Sequence, residues 1–349
     1  MTLKILLVNN YAMNQAWDLW QNGEWPSHHL WGITHLKPYG IDVDILPYEK
    51  YVRLKKIMFQ ELGDLDQQVR MLVGWHRYDL IYSGCQTSTI LLSWLRRWGI
   101  LRKPIIATIH HPLGYSLRNR WFVQGHSKLL CLSREFKRQI EQSFGGLADG
   151  KLELLEWGAD LEFYRFDESV SRDDAGLIVS AGTSKRDYNT LVQAAVDVNC
   201  RVKIYCSADS APAVAPLPVN VMVYVGNGTY DAIGYRELFA EYEQAAMVAI
   251  PLKDIRILSG LTSLLDAMLA GKPVIMTKNP GIDIDIEAAG IGLWVEPRDV
   301  NGWRDAINYL IANPEKARDM GKRGRELCEN RYNLDRFASQ LALAIQKAV

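Results

Sequence analysis

The stretch Val248-Ala249-Ile250-Pro251, followed by a polar loop and then Ser259-Gly260-Leu261-Thr262-Ser263-Leu264-Leu265-Asp266-Ala267-Met268-Leu269-Ala270-Gly271-Lys272-Pro273-Val274-Ile275, decides the fold. Two short runs, 248–251 and 274–277, are apolar on successive residues, as in parallel strands covered on both faces. Between them residues 262–270 read as a helix that opens after Gly260 and stops at Gly271. Strand, helix and strand in this order make a parallel crossover unit.

The same alternation extends in both directions. Toward the C-terminus and just upstream lie strand runs 177–181, 202–206, 221–225 and 293–296, with helical patterns at 188–198, 237–246 and 300–312. The first half carries runs 5–9, 43–47, 80–83, 105–109, 129–133 and 152–157, with helical patterns at 88–98 and 134–143. The polar stretch 167–174 has no apolar period and separates the two series. The expected fold class is therefore α/β, with two Rossmann-like, doubly wound parallel-sheet domains facing across a cleft. The boundaries read 1–166 and 175–332, and 333–349 forms a last helix that can return to the first domain. Ligands of such sheets bind beyond the carboxyl ends of the strands, where strand order reverses.

Composition excludes several classes of function. Apolar residues make up 48% and charged residues 23% of the 349, with zero formal net charge, so nothing points to nucleic acid. Through Asp160 there are 19 basic and 15 acidic residues, and beyond it 21 and 25, an asymmetry of +4 against −4. Nine of the eleven Trp also lie between Trp17 and Trp157. These Trp either fill a core or, with the basic residues, meet a membrane-borne partner. The five Cys show no C-x-x-C spacing, which fits a reducing compartment. No secretory leader and no apolar run long enough to span a bilayer is visible, so a cytoplasmic protein is expected, any membrane contact being peripheral at the inner face.

Chemistry concentrates at the predicted strand ends. Gly260 lets a backbone approach a ligand, and Thr262 and Ser263 open a helix whose free amides and positive dipole end suit a diphosphate. Asp266, one turn on, is an acceptor for paired ribose hydroxyls or else a solvated helix residue. In Val179-Ser180-Ala181-Gly182-Thr183-Ser184-Lys185-Arg186-Asp187, a strand ends in a loop where Ser184, Lys185 and Arg186 either meet phosphate oxygens or form a solvated basic turn. Ile105-Ile106-Ala107-Thr108-Ile109-His110-His111-Pro112 places a histidine directly after a buried strand. Asp42 with Asp44, and Asp283 with Asp285, read as structural or solvated carboxylates, and no metal site is expected.

Asp-Ala-Met-Leu-Ala-Gly-Lys-Pro-Val-Ile from Asp266 resembles the E-A-M-A-x-G-K-P-V signature of the retaining glycosyltransferases of family 4, which have the GT-B fold. The resemblance implies that Asp266 contacts the donor ribose and that the amides before it, at Gly260, Thr262 and Ser263, hold the donor phosphates. It implies that Arg186, at the place of the family's lysine, and Lys185 grip the diphosphate. It also implies that His110 reaches the transferred sugar. Two departures stand out. Leu258 occupies the position of a sugar-contacting glutamate, with Asp254 or Lys253 as replacements. The loop after the first strand reads Asn9-Asn10-Tyr11 where many relatives have adjacent glycines. Asn10, Tyr11, His28 and His29 are the acceptor-side candidates, the Trp17–Trp31 stretch being either a sugar platform or an inward-packed helix.

The function implied is metal-independent, cofactor-free transfer of a sugar from a nucleoside diphosphate sugar to a hydroxyl of a sugar, polysaccharide or lipid-linked acceptor, with retention of anomeric configuration. The rival readings are an epimerase or hydrolase on the same fold and a non-catalytic nucleotide-sugar-binding scaffold.

Overall fold

The computed structural model describes residues 2–165, 174–226, 232–254 and 256–349, so the polar stretch expected at 167–174 lies outside it except for its last residue. The chain divides into two compact units, Met1–Gly158 with Leu334–Val349, and Ala159–Asn333.

The first unit holds strands β1 (Leu3–Val8), β2 (Ile41–Ile45), β3 (Leu80–Ser83), β4 (Ile105–Ile109), β5 (Lys128–Cys131) and β6 (Leu152–Leu154). They form one parallel sheet in the order β2-β1-β3-β4-β5-β6. Every residue of β4 is buried, which is why that run is apolar without alternation. Strand order reverses at β1 and β3, so the loops after them, at Asn9 and Gly84, mark the switch point. The last helix, Leu334–Ala348, belongs to this unit. Phe337 stands edge-on to Trp157 at 5.3 Å, and Gln340 accepts the Glu156 amide at 3.0 Å.

The second unit holds β7 (Asp174–Ala181), β8 (Arg201–Ser207), β9 (Val221–Gly226), β10 (Ala245–Ile250), β11 (Val274–Thr277) and β12 (Gly292–Val295). Its parallel sheet runs β12-β11-β10-β7-β8-β9, and order reverses between β7 and β10. The helix expected at 262–270 is Leu261–Leu269, and the one expected at 188–198 is the shorter Tyr188–Ala194. Residues from Ala159 onward go with this unit, earlier than the boundary expected at 166. The cause is local bonding. The Ala159 amide donates to the Tyr332 carbonyl at 2.8 Å, and Arg325 Nη1 donates to the carbonyls of Tyr164 at 3.1 Å and Leu269 at 2.8 Å.

A seventeen-residue helix, Pro314–Asn330, is absent from the sequence expectations. Its buried face consists of Ala317, Gly321, Gly324 and Cys328, too small to read as an apolar stripe. The smallness is required, because a Cβ at Gly321 would lie 1.8 Å from the Gly271 carbonyl oxygen. Gly321→Val should therefore destabilise the full chain by at least roughly 1–3 kcal/mol in denaturant melts. Gly114→Ala, at a position with nothing within 4 Å, should stay within about 0.5 kcal/mol of the parent.

Candidate active site

In the second unit the loop after β7 and the loop after β10 meet at the switch point. Arg186 forms an antiparallel bridge with Leu252, and the Lys253 amide donates to the Lys185 carbonyl at 3.0 Å. The Arg186 side chain then turns inward and is only 5% exposed. Its Nη2 donates to Ser263 Oγ at 2.8 Å and its Nη1 to Ser259 Oγ at 3.3 Å. Carbonyls of Ser184 and Ala181 accept at 3.2 and 3.4 Å. Ser259 and Ser263 donate their own protons to those same two carbonyls, which leaves their lone pairs to the guanidinium.

Glycine is obligatory beneath this group. Gly182 has φ 143°, and a Cβ there would sit 2.3 Å from Arg186 Nη2. Tyr188 fixes the loop by donating from its hydroxyl to the Gly182 carbonyl at 2.7 Å. On the other side Gly260 has φ 85° and begins the helix without a side-chain cap. Amides of the first turn of such a helix lack intrahelical partners and carry the positive dipole end. Buried Asn279 braces the approach, its Nδ2 donating to the carbonyls of Ile257 at 3.0 Å and Ser259 at 3.3 Å. Thr262 is half-buried, while Ser184 and Lys185 are exposed on the opposite loop. A guanidinium and a helix start sharing one serine make a cradle for an anion. Gly182, Ser259 and Asn279 escaped the sequence reading, since each matters only through what lies against it.

Asp266 lies one turn further along, 7% exposed. Burial pushes its carboxyl up to about 7, and the hydrogen bond from the Tyr164 phenol works in the opposite direction. One carboxyl oxygen, Oδ1, has no partner among the described residues, and neither does the nearby Tyr242 hydroxyl. Leu258 is partly buried, and Lys253 and Asp254 are exposed on the loop before it.

In the first unit His110 follows β4. Its Nε2 donates to the Gly84 carbonyl at 2.6 Å, which fixes the tautomer and leaves Nδ1 as an acceptor. Burial lowers its pKa to about 4, so the ring is neutral at physiological pH. Gln86 Oε1 accepts the amides of His110 and His111 at 3.0 and 3.2 Å, and Trp31 stands edge-on to the His110 ring at 4.9 Å.

The acceptor-side candidates divide. Asn10 is exposed beside buried Asn9, whose Oδ1 takes its amide at 2.8 Å. The Tyr11 hydroxyl donates to the His29 carbonyl and accepts from Trp31 Nε1 at 2.9 Å, which ties the loop down. His28 is 2% exposed and packs near Trp157, and burial lowers its pKa to about 3. His28 thus fills the core and is closed to an acceptor, with the half-buried His29 ring tilted against it at 4.4 Å. Of the nine N-terminal Trp only Trp98 is exposed; within the 17–31 stretch Trp25 and Trp31 are buried and Trp17 and Trp20 half-buried. Asp44 is ion-paired with Lys4 at 3.0 Å and Asp285 accepts the Ala288 amide at 3.2 Å, both structural roles.

Residues 230–327 match the family model described as "Glycosyl transferases group 1". The chain is 23% identical over 318 residues to a GDP-mannose-dependent alpha-(1-6)-phosphatidylinositol monomannoside mannosyltransferase of Mycobacterium tuberculosis, covering 80% of this chain and 78% of that one. Its fold matches a sucrose-phosphate synthase from Thermosynechococcus elongatus, with TM-score 0.73, 17% identity and 99% of both chains covered. It also matches Anabaena HepE in complex with UDP-glucose, with TM-score 0.69, 16% identity and 99% of both chains covered. Residues 230–327 thus resemble the group 1 glycosyltransferases, and the chain has the GT-B fold. No helix among the described residues is long and apolar enough to cross a membrane.

The buried Asp266 carboxyl gives a signed pH prediction. In the fold Asp266 keeps its proton up to about 7, whereas the unfolded chain releases it near 3.8. The folded state binds more protons between these values, so this group's contribution to stability falls as pH rises from about 4 to about 7. Denaturant melts across that window should show a smaller fall for Asp266→Asn. Tyr164→Phe, which removes the bond favouring the ionised form, should carry the fall to higher pH.

Proposed function

We propose that this glycosyltransferase moves a sugar from a nucleoside diphosphate sugar to a hydroxyl acceptor, with retention at the anomeric carbon and without a metal ion. The observation that carries the reading is the 2.8 Å bond between Arg186 and Ser263, which binds a buried cation to a helix start. Arg186 and the amides at Gly260, Thr262 and Ser263 hold the diphosphate and take up the negative charge that grows on the leaving nucleotide. Lys185 and Ser184 add contacts from the exposed loop. Asp266 accepts from the ribose hydroxyls once donor binding uncovers its buried, unpartnered Oδ1. His110 acts as a neutral hydrogen-bond acceptor for a sugar hydroxyl through Nδ1, the role left to it by the Gly84 bond. The acceptor is a sugar, polysaccharide or lipid-linked hydroxyl, reached from the first unit, which makes a peripheral contact with the inner membrane face.

Leu258, in place of an acidic residue, supports a second reading in which the chain binds a nucleotide sugar without transferring it.

The donors to try first are GDP-mannose and UDP-glucose, named for the mycobacterial relative and the HepE complex. A bound donor raises the melting temperature by mass action. One of the two, or its nucleoside diphosphate, should raise it in the parent and not in Arg186→Ala. Turnover with a competent acceptor should fall by roughly 10²–10³ in Arg186→Ala. Absence of any shift across UDP, GDP, ADP and their sugars would remove the donor site. A shift without transfer to any acceptor pool would select the binding-only reading. The anomeric proton of the product, followed by NMR, tests retention.

A further inference from the structure

We propose that residues 51–59 of the first unit are a docking face for an anionic lipid surface. The proposal locates the peripheral contact of the reading above and rests on it for the acceptor, though not for the donor chemistry.

Two short helices, Val52–Lys56 and Phe59–Leu62, carry this segment. Tyr51, Val52, Ile57, Met58 and Phe59 are 52, 44, 51, 56 and 38% exposed. A single exposed apolar side chain needs no explanation, but five large ones within nine successive residues form a patch. The segment is held in this posture from below. Buried Asp66 accepts the amides of Lys50 at 3.0 Å and Tyr51 at 3.1 Å and is itself gripped by Arg70 at 2.7 and 3.0 Å. Lys55 points back to Tyr48 and Glu49, and Leu54 is only partly exposed, so the face has an anchored underside. At its far end Arg118 Nε donates to the Glu61 carbonyl at 2.9 Å, which brings Leu117, 59% exposed, alongside.

Charge selects the partner. Residues 49–61 contain four basic residues against Glu49 and Glu61 at the two ends, Glu49 being paired with Lys55, and Arg53 and Lys56 are exposed among the apolar side chains. Arg118, held against the Glu61 carbonyl, adds a further cation at the far end. Apolar side chains interleaved with outward cations match an interface of anionic headgroups over acyl chains. A protein partner for so basic a face would have to be acidic, and a second copy of the same face would repel it.

The test is flotation of the full chain with vesicles of phosphatidylcholine, with and without phosphatidylglycerol. Binding is expected only to the anionic vesicles and is expected to weaken with salt over the range that shortens the Debye length. Arg53→Ala/Lys56→Ala should lower the partition by about tenfold or more. Ile57→Ser/Met58→Ser should lower it by a similar factor, about tenfold, through lost apolar insertion. Both variants should keep the parent's melting temperature and its shift with nucleotide, which shows that the fold and the donor site are intact. Equal partition of parent and variants, equal binding to neutral vesicles, or no binding at all overturns the proposal while the nucleotide shift leaves the transfer reading standing. A change in solution mass between parent and variants without vesicles would assign the face to a second copy and also overturn it. Vesicle binding without any nucleotide shift would sink the transfer reading instead.

Discussion

The second unit depends on a buried cation whose hydrogen-bond partners are neutral. The Arg186 guanidinium bonds two serine hydroxyls and two carbonyl oxygens. Taking a charge out of water costs several kcal/mol unless it is compensated. Dipoles supply that compensation here without neutralising the charge, so the positive field remains available to an anion. The same bonds join the loop after β7 to the helix after β10, across the place where strand order reverses. Everything around them follows from that join: glycine at 182 because the guanidinium lies on it, glycine at 260 because the helix must open at φ 85°.

Much of this was legible because the physics that builds parallel sheets is local. A strand covered on both faces is apolar at most positions, and β3, β4 and β11 fall on the runs read from the sequence, residue for residue. Chemistry at strand ends was legible for the same reason, since the ends are where backbone groups are free. What stayed hidden depends on partners far along the chain. The Pro314–Asn330 helix buries glycine and alanine, because the Gly271 carbonyl comes too close for larger residues, and small residues leave no periodic signal. Asn279 reads as an ordinary loop residue until the Ser259 carbonyl is found against it.

The aromatic residues of the first half show a different limit. Composition placed nine Trp there but could not say which way they face. Trp31, Trp157 and Phe337 contact one another in sequence-distant pairs, and the last helix contributes one of them. Those Trp are the mortar between the last helix and the sheet of its own unit. Arg97 lies over the Trp121 ring at 5.6 Å, whereas Arg53 and Lys56 are exposed beside Tyr51, Ile57 and Met58, residues that composition alone did not single out.

Asp266 illustrates how a substitution in a signature propagates. An aspartate is one methylene shorter than a glutamate, which keeps its carboxyl closer to the helix, and here the residue is 7% exposed. Depth raises its pKa, and the Tyr164 phenol offsets part of that rise. Tyr164 is in turn held at its carbonyl by Arg325, which also caps the C-terminal end of the same helix at Leu269. The segment that leads into the second unit and the helix that bears the carboxyl are therefore tied at two points. A shift of that segment cannot occur without disturbing the carboxyl, and this coupling, more than the identity of any one side chain, explains why residues 159–165 belong with the second unit.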